Sequence, residues 1–458
     1  MKREIQYQLG RLAPAAIALI FAMSGGWACG GVPESYRKLW RDPALVERIQ
    51  CNIDKHRKQD ATIEVVGQEG RPVRAAVLEI RQRTHAFLFG CNAFVLGQLD
   101  TPEKNRKYEA AFVRLFNFAT VPFYWEGIEP AQGELRYAEG SRDIWRRPPP
   151  DRYIPFAKKY GLTLKGHPLL WHAYNPPWLP KDPEALKGLY QKRFAEIGSR
   201  YAKDIKIWDV VNESLVCSKK YPLYSDDRAY VAWAFRNATP NFRPENTLMI
   251  NEVTEVSHQP LAKNRYYPQV QDLLKQGVGV KGIGFQFHFF SPERLAKYYS
   301  DPVFAPAALL DVYDLFAKFN LPLYVTEITI PTPPGDGEAA QAEAVGNLYR
   351  LWFSAPRMAG ITWWNLGDGT AVKGENKALG GLVDEKFDPK ESYRTLDRLI
   401  NQEWKTRLSA KTDSQGTFRF RGFYGKYSVK ITARGKTQDF PIELARDGRR
   451  SHQFTLKP

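Results

Sequence analysis

The chain contains 458 residues, of which 43% are hydrophobic and 25% are charged. This length suits one large domain with a smaller one beside it, and the apolar content excludes a disordered chain. The formal net charge is +16, but the basic residues are dispersed and no zinc-finger, helix-turn-helix or aromatic RNA-binding motif accompanies them, so no nucleic-acid partner is predicted. The charge is expected to favour solubility, with an acidic glycan or an anionic envelope surface as the alternative explanation.

The N-terminus has the pattern of an export signal. A basic segment, residues 2–11, precedes the apolar run Leu12–Met23, and small residues follow as far as Ala28. The run is too short to span a bilayer, and no later segment approaches the ~20 apolar residues that a membrane span requires. Residues 1–28 are therefore predicted to be a signal peptide, and the mature protein is expected in the periplasm or outside the cell. Because cleavage near Ala28 would leave Cys29 first, a lipid anchor on Cys29 is a secondary hypothesis.

Residues 32–85 are predicted to form a helix followed by a β-hairpin. The stretch 33–58 has an amphipathic pattern that is typical of a surface helix. Two β-branched, apolar runs, Ala61–Val66 and Val73–Ile80, then flank the turn sequence at residues 67–70. A hairpin is the simplest interpretation of two such runs with glycines between them.

From residue 86 to residue 402, short apolar strands alternate with helical segments, as in a parallel α/β fold. Eight strands are predicted: Phe87–Phe89, Phe116–Val121, Leu162–Leu170, Ile205–Val211, Thr247–Ile250, Gly282–Phe287, Leu323–Ile328 and Gly360–Trp364. Eight such units that close on themselves give a (β/α)8 TIM barrel, whose active site lies at the carboxyl ends of the strands.

Polar side chains stand at six of these predicted strand ends, and two of them carry the central hypothesis. Glu213 follows the apolar strand Ile205–Val211, and Glu327 lies in the strand Leu323–Ile328. Cleavage of a glycosidic bond needs two carboxyl groups, one to donate a proton and one to act as nucleophile or base. Structural glutamates on buried strands are usually paired with a nearby cation, and neither segment supplies one that faces its glutamate. The pair therefore predicts a glycosidase site.

Residues 403–458 change to period-two alternation with frequent glycine, which is typical of short β-strands. They are predicted to form a small accessory β-sandwich. Because the segment is short for a complete sandwich, we expect residues 61–82 to complete its sheets. The barrel would then be flanked by one module built from both ends of the chain.

The cysteines do not indicate a metal site. Cys29, Cys51, Cys91 and Cys217 have neither CxxC spacing nor a matching histidine pattern, so no metal and no organic cofactor is predicted. With Cys29 removed or lipidated, three cysteines remain and cannot all pair internally. Cys217, four residues after Glu213, is expected to be a free, partly buried thiol.

Several motifs of the barrel region resemble one known family. Residues 86–400 resemble glycoside hydrolase family 10, the retaining endo-β-1,4-xylanases. The motifs that carry the resemblance are Gly166-His-Pro-Leu-Leu-Trp-His172, Trp208-Asp-Val-Val-Asn-Glu213, Gly282-Ile-Gly-Phe-Gln-Phe-His288, Thr326-Glu327 and Ile361-Thr-Trp-Trp-Asn-Leu-Gly-Asp368. Their order and their positions on the predicted strands agree with the family.

The resemblance implies roles for individual residues. Glu213 would be the acid/base and Glu327 the nucleophile of a double displacement. The shell around the cleavage point would comprise His172, Asn212, Gln286 and His288. The aromatic residues predicted to contact sugar rings are Trp178, Trp364, Trp125 and Tyr174.

The chain also departs from the family where the sugar on the non-reducing side is held. The family places a Glu-Asn pair and a lysine before the tryptophan that follows its second strand. Here the stretch Ala119–Trp125 has no carboxylate, amide or lysine. Tyr174 replaces a glutamine, Ile328-Thr329 lacks the usual acid, and Gly369–Lys373 lacks the lid tryptophan. The reaction type is therefore predicted more firmly than the substrate, for which xylan is the default and a different β-linked or decorated polysaccharide is the alternative.

Two other functions stay open at this point. The barrel could bind carbohydrate without turnover, which the lost sugar contacts favour and the two intact glutamates oppose. The C-terminal module could bind a glycan or a cell surface, although a stabilising role is preferred. A polysaccharide substrate and a monomeric state are expected, while endo or exo action is not determined by the sequence.

Overall fold

The computed structural model describes residues 31–333 and 337–457. The predicted signal peptide and Cys29 lie outside the described residues. Within those residues, no helix combines the length and the apolar character needed to cross a bilayer.

The N-terminal helical stretch is two helices, not the single helix predicted. These are α1 Glu34–Trp40 and α2 Pro43–Arg57. Asp42 caps α2 by accepting a hydrogen bond of 3.0 Å from the backbone N–H two residues on, and Pro43 occupies the first helical position. The break follows from Pro43, because proline disfavours a helical residue before it and has no N–H to continue α1.

Two strands follow in the N-terminal segment, β1 Lys58–Val66 and β2 Val77–His85. Nine strands then form the barrel: β3 Leu88–Asn92, β4 Phe118–Pro122, β5 Thr163–His167, β6 Leu170–Trp171, β7 Ile207–Asn212, β8 Thr247–Glu252, β9 Gly282–His288, β10 Leu323–Thr329 and β11 Met358–Trp363. β5 and β6 together form one stave, interrupted at Pro168, and β5 and β6 both pair with β7 to close the ring. All barrel pairings are parallel. The predicted (β/α)8 barrel is confirmed.

The barrel strands are buried on both faces, which explains why the sequence shows continuous apolar runs there and not alternation. Helices of the barrel region cover the outside or cap its loops: α3 Pro102–Leu115, α4 Trp125–Ile128, α5 Tyr153–Tyr160, α6 Pro183–Tyr201, α7 Ala229–Ala238, α8 Thr254–Ser257, α9 Tyr266–Lys275, α10 Pro292–Ser300, α11 Pro306–Ala317, α12 Gly337–Ser354, α13 Lys373–Asn376 and α14 Glu391–Arg398.

The accessory module is a sandwich of two sheets. Its C-terminal strands are β12 Arg407–Lys411, β13 Thr417–Phe423, β14 Gly425–Ala433, β15 Lys436–Leu444 and β16 Ser451–Thr455. One sheet has the order β13-β1-β16 and the other β12-β2-β14-β15. Residues from both ends of the chain, such as Ile63, Leu78, Val429 and Ile431, share its buried core. Both N-terminal strands thus pair with C-terminal ones, as expected.

The predicted hairpin between residues 61 and 80 is wrong. β1 and β2 do not pair with each other but lie in opposite sheets of the sandwich. Beyond Val66 the chain makes only a tight turn, with one isolated bridge to Pro72, before it crosses to the second sheet. The Val73 N–H still donates to the Val65 carbonyl at 2.9 Å, but no strand pairing among the described residues follows from it. The long-range partners β13 and β14 decide where each strand lies.

The module lies at the amino-terminal end of the barrel strands. The Ala86 N–H, just before β3, donates to the carbonyl of Tyr424 at 3.1 Å, and the Arg57 guanidinium donates to the carbonyls of Phe353 and Ala355, just before β11. Trp404 stacks on Phe353 with a centroid separation of 4.2 Å. The module is therefore on the opposite side of the barrel from the carboxyl ends of the strands, which supports a stabilising role.

A glycine of β5 is required by the packing of the barrel interior. A Cβ at Gly166 would collide with the ring of Trp208, which is fully buried. We expect Gly166→Ala to destabilise the protein by about 1–3 kcal/mol, because a packed core cannot absorb the added methyl group. Gly188→Ala, in the exposed part of α6 with open space around it, should instead stabilise the protein by about 0.5–1 kcal/mol. Urea unfolding of both variants measures the difference; equal stabilities would contradict this packing argument.

Candidate active site

Two glutamates meet at the carboxyl ends of β7 and β10. Glu213 directly follows β7, with a left-handed backbone (φ 57°), and Glu327 lies within β10 and is 4% exposed. A left-handed conformation is rare for residues other than glycine and is tolerated where the surrounding structure fixes it, often at functional sites. The barrel places both carboxyl groups in one cleft because parallel strands end at the same face.

Gln286, on β9, connects the two glutamates. Its amide nitrogen donates to Glu213 Oε1 at 2.9 Å and lies 3.3 Å from Glu327 Oε1. The separation of these two carboxylate oxygens therefore cannot exceed the sum of the two distances. That upper limit is shorter than the ~6.5 Å minimum separation of inverting glycosidases and compatible with the ~5–5.5 Å of retaining ones.

Two further groups donate hydrogen bonds to Glu327. His288 Nε2 donates to Oε2 at 3.2 Å, while its Nδ1 accepts from the Thr329 hydroxyl at 2.9 Å, which fixes the ring. Asn251 donates to Oε1 at 2.8 Å, and its own amide oxygen accepts from the Thr326 hydroxyl at 2.6 Å. With its oxygens held by fixed donors, Glu327 is stabilised as a carboxylate.

A buried cluster of three hydrogen-bonded side chains lies behind Glu327. Asp209 accepts hydrogen bonds from Lys165 at 2.8 Å and from His167 Nδ1 at 2.6 Å, and all three side chains are fully buried. The bond to Asp209 orients the His167 ring so that its Nε2 lies 3.9 Å from Glu327 Oε1. Among the described residues this buried Nε2 has no hydrogen-bond partner.

Glu213 has a different environment. Besides Gln286, its polar partner is the indole N–H of Trp171, which donates to Oε2 at 3.1 Å. The neighbouring Asn212 accepts from Asn251 at 2.8 Å, and its Nδ2 is left without a partner. Asn251 thus links Asn212 and Glu327.

These environments shift the two carboxyl groups in opposite directions. Burial, reinforced by the negative charge of Glu327, raises the pKa of Glu213 to about 7, against the smaller effect of its hydrogen bonds from Gln286 and Trp171. Burial also acts to raise the pKa of Glu327, but the combined influence of His167, His288 and Lys165 outweighs it and leaves that pKa below its usual value. At neutral pH the cleft therefore holds one group that can donate a proton and one that is ionised.

Two predicted site residues lie outside contact with the glutamates. The ring centroid of His172 lies 6.0 Å from that of Trp171 and 6.5 Å from that of Tyr221, and His167 occupies the position beside Glu327. Trp125 is 5% exposed and packs into the barrel core against Tyr190, with its N–H bonded to Glu129, so it presents no face to a sugar. The difference between the two histidines follows from the strand ends, because β5 ends at His167 and His172 follows the end of β6.

The other aromatic predictions fall around the cleft. Trp364 is buried in a cluster with Phe94 and Tyr124, and its ring lies 5.6 Å from His167 and 5.9 Å from His288. Tyr174 packs against Trp171 and Tyr124 at centroid distances of 5.2 Å. Trp178 is half-buried and its N–H donates to the carbonyl of Glu129. Sugar contacts by Trp178, Trp364 and Tyr174 stay predictions.

The site residues that were not predicted are Lys165, His167, Trp171, Asp209 and Asn251. His167, Trp171 and Asn251 contact the glutamates, whereas Lys165 and Asp209 lie behind them. A signal for Lys165 and His167 was present, because they are two apart on one strand and so share a face. A lysine inside a fully buried strand needs a carboxylate partner, and Asp209 is the acid of the neighbouring strand.

A (β/α)8 barrel with two glutamates of opposite protonation preference at its strand ends defines the class of barrel glycosidases. The family model "Glycosyl hydrolase family 10" matches residues 99–398. The chain belongs to this family, as its motifs indicated.

Curated relatives of modest sequence identity support the assignment to this family. The chain is 27% identical over 397 residues to the anti-sigma-I factor RsgI6 of Acetivibrio thermocellus, covering 85% of this chain and 47% of that protein. It is 25% identical over 399 residues to an endo-1,4-beta-xylanase 5-like protein of Arabidopsis thaliana, covering 83% and 63%. Endo-1,4-beta-xylanase B of Thermotoga neapolitana is 26% identical over 325 residues, 66% of this chain and 85% of that protein. The chain thus spans about half to two thirds of the first two relatives.

Solved structures agree on the fold. Native xylanase 10B from Thermotoga maritima superposes with a TM-score of 0.58 at 24% identity, covering 69% of this chain and 96% of that one.

Proposed function

We propose that this protein is an exported, retaining glycoside hydrolase that cleaves a β-1,4-linked, xylan-like polysaccharide. Glu213 serves as the acid/base and Glu327 as the nucleophile. The observation that carries the proposal is the position of Gln286 Nε2, within 2.9 Å of one carboxylate and 3.3 Å of the other. An oxygen separation below that of inverting glycosidases favours direct attack by one carboxylate over attack by a water molecule held between the carboxylate and the sugar.

In the first step, the raised pKa of Glu213 keeps its proton available for the leaving glycosidic oxygen. Ionised Glu327 attacks the anomeric carbon, and a covalent glycosyl-enzyme forms as the glycosidic bond breaks. In the second step, Glu213, now a carboxylate, removes a proton from water, and the water oxygen displaces Glu327 from the anomeric carbon. The product keeps the β configuration.

The shell residues position the sugar in this proposal. The unpartnered Nδ2 of Asn212 is a donor for the sugar 2-hydroxyl, where hydrogen bonds strengthen in the transition state. The Nε2 of His167, which has no partner among the described residues, is a second group that can hydrogen-bond a sugar hydroxyl. Gln286 and His288 hold the carboxylates at fixed positions, so little reorganisation is needed during the reaction.

Hydrolysis of a panel of β-linked polysaccharides tests the function. Wild type should release oligosaccharides from β-1,4-xylan, and Glu327→Ala should not. Product-length analysis separates endo from exo action. Release of no product from any β-linked polysaccharide, or equal release by the variant, would refute the proposal.

The pH profile of kcat/KM should reflect the ionisation of both carboxyl groups. kcat/KM requires protonated Glu213 and ionised Glu327, so it should rise as pH passes the lowered pKa of Glu327 and fall as pH passes about 7. In Trp171→Phe the lost N–H no longer favours ionised Glu213, so the alkaline limb should move up by about 0.4–1 pH unit. Trp178→Phe removes an indole N–H that bonds Glu129 and is the matched control. Identical limbs in wild type and Trp171→Phe would contradict the assignment of the acid.

A second candidate is carbohydrate binding without turnover. The replaced residues of Ala119–Trp125 favour it, because they remove the family's polar sugar contacts. The oppositely shifted carboxyl groups favour catalysis, because a binding site has no need to hold one glutamate protonated and the other ionised.

A further inference from the structure

An arginine pair covers the side of the cleft where the family's polar sugar contacts are replaced. Arg146 and Arg147 belong to the long connection between α4 and α5. The Arg147 guanidinium lies 3.9 Å above the ring of Tyr124, and Arg146 lies 5.4 Å from the ring of Phe94. Both rings belong to the aromatic cluster that contains Trp364. The arginines thus adjoin the catalytic cleft directly.

A short chain of contacts joins these arginines to the glutamates. The ring of Tyr124 is 5.5 Å from that of His167, whose Nε2 is 3.9 Å from Glu327. A sugar held at Glu327 on the side of Tyr124 would therefore bring its substituents towards Arg147.

Neither guanidinium has a carboxylate partner within residues 31–333 and 337–457. Arg146 is 4% exposed and donates to the amide oxygen of Asn365 at 2.7 Å and to the carbonyl of Thr370. Arg147 donates to the carbonyl of Arg146 at 2.9 Å. The Nε of each arginine is buried and has no partner. Arg146 is buried and Arg147 is half-buried, and in the part of the chain that the structure describes the acidic residues in their electrostatic range, Glu375 and Glu126, form no ion pair with them. Because a cation this enclosed is normally paired, the site indicates that the anion comes from a ligand.

The same arginines line a cleft with the size and the surfaces for a sugar. Its volume is about 540 Å³, within the range of ligand sites, and its walls include Trp145, Lys373 and Glu126. Trp145 is 50% exposed and offers a flat face for a pyranose ring. Burial raises the pKa of Glu126, so this carboxyl group opposes an incoming anion less than an exposed one would. Arg146 also has a left-handed backbone (φ 63°), as Glu213 does.

We propose that the cleft of Arg146 and Arg147 binds the carboxylate of a uronic acid residue of the polysaccharide. The ligand class follows from the donors, since a guanidinium fork matches a carboxylate in geometry and charge. The inference rests on the proposed function, because it assigns a substrate preference to a cleft beside the catalytic glutamates. The uronate can be a substituent on a neutral β-1,4 chain or a unit of the chain itself.

Calorimetric titration of the full chain with Glu327→Ala, which prevents turnover, tests the proposal. The probes are a glucuronate-substituted β-1,4-xylo-oligosaccharide, its carboxyl-reduced form and a β-1,4-linked oligoglucuronate. We expect at least one uronate probe to bind about ten- to a hundredfold more tightly than the reduced form, the range of a charge-assisted hydrogen bond. Which of the two binds distinguishes a substituent from a backbone unit. Added salt should weaken uronate binding alone.

The variant Arg147→Gln should remove the preference and leave binding of the reduced probe unchanged. Arg142→Gln, an exposed arginine of the same connection, is the matched control and should keep the preference. Equal affinity for acidic and reduced probes, or a preference that survives Arg147→Gln, would overturn the inference.

The two proposals fail differently. Hydrolysis of neutral xylan by wild type with no uronate preference would refute only the inference. Arg147-dependent uronate binding without hydrolysis of any glycan by wild type would refute only the proposed function.

Discussion

Replacement of Glu327 by alanine is expected to lower kcat/KM by about 10⁴- to 10⁶-fold, the range found when a member of a covalent catalytic unit is removed. The side chain has no substitute: within the described parts of the chain, the other carboxyl group at the cleavage point is Glu213, whose pKa burial raises to about 7. Asn251, Gln286 and His288 would remain as donors without an acceptor. Steady-state hydrolysis of an aryl β-xyloside measures the loss.

Chemical rescue separates a missing nucleophile from a damaged fold. Azide added to Glu327→Ala should enter the space of the lost carboxylate and attack an activated β-glycoside. The product should be the α-glycosyl azide, because a single displacement inverts the anomeric centre. An unaffected rate in the variant, or rescue with retention, would rule out Glu327 as the nucleophile.

The second large effect is expected for Glu213→Gln. Without a proton donor, cleavage of a xylo-oligosaccharide should slow by about 10²- to 10⁴-fold, the usual contribution of general acid catalysis. Aryl glycosides with good leaving groups need no proton, so their first step should stay fast while the second slows. A burst of released phenol should result, and the alkaline limb of the pH profile should disappear.

Glu252 supplies the control for Glu213. Burial raises its pKa to about 7 as well, but its Oε1 accepts from the Ser214 hydroxyl at 2.7 Å and the Leu215 N–H at 2.8 Å. Glutamine can accept the same two bonds, so Glu252→Gln should keep most of the activity. Equal losses in Glu213→Gln and Glu252→Gln would show that a structural defect, and not the lost acid, slows the reaction.

The barrel was predictable because its signals are local. Each buried stave is a run of apolar residues, and its ends are marked by polar residues or glycine, as at Ile205–Glu213. The accessory module was only partly predictable. The residues of β1 and β2 indicate strands, but their partners are more than three hundred residues away, and no local pattern specifies which sheet each one joins.

The two glutamates were predictable for the same reason: each stands where an apolar strand meets the cleft. The choice between His167 and His172 could not be predicted, because it depends on the interruption between strands β5 and β6 at Pro168. Trp125 was assigned to the cleft from its position after β4, whereas tertiary packing turns its ring into the core.

The arginine pair could not have been predicted from the sequence. Arg146 and Arg147 lie in an irregular connection whose path is fixed by contacts with remote residues, such as Gln98 and Asn365. No periodicity marks such a segment, and two arginines in a basic chain are unremarkable on their own.

Trapping of the glycosyl-enzyme tests the central claim most directly. Wild type would be incubated with an activated 2-deoxy-2-fluoro-β-xylobioside, whose fluorine slows the second step more than the first, and the intact protein and its peptides weighed by mass spectrometry. The account predicts one added xylobiosyl unit, carried by the peptide that contains Glu327. An unmodified protein that still hydrolyses xylan, or a label on any other residue, would contradict it.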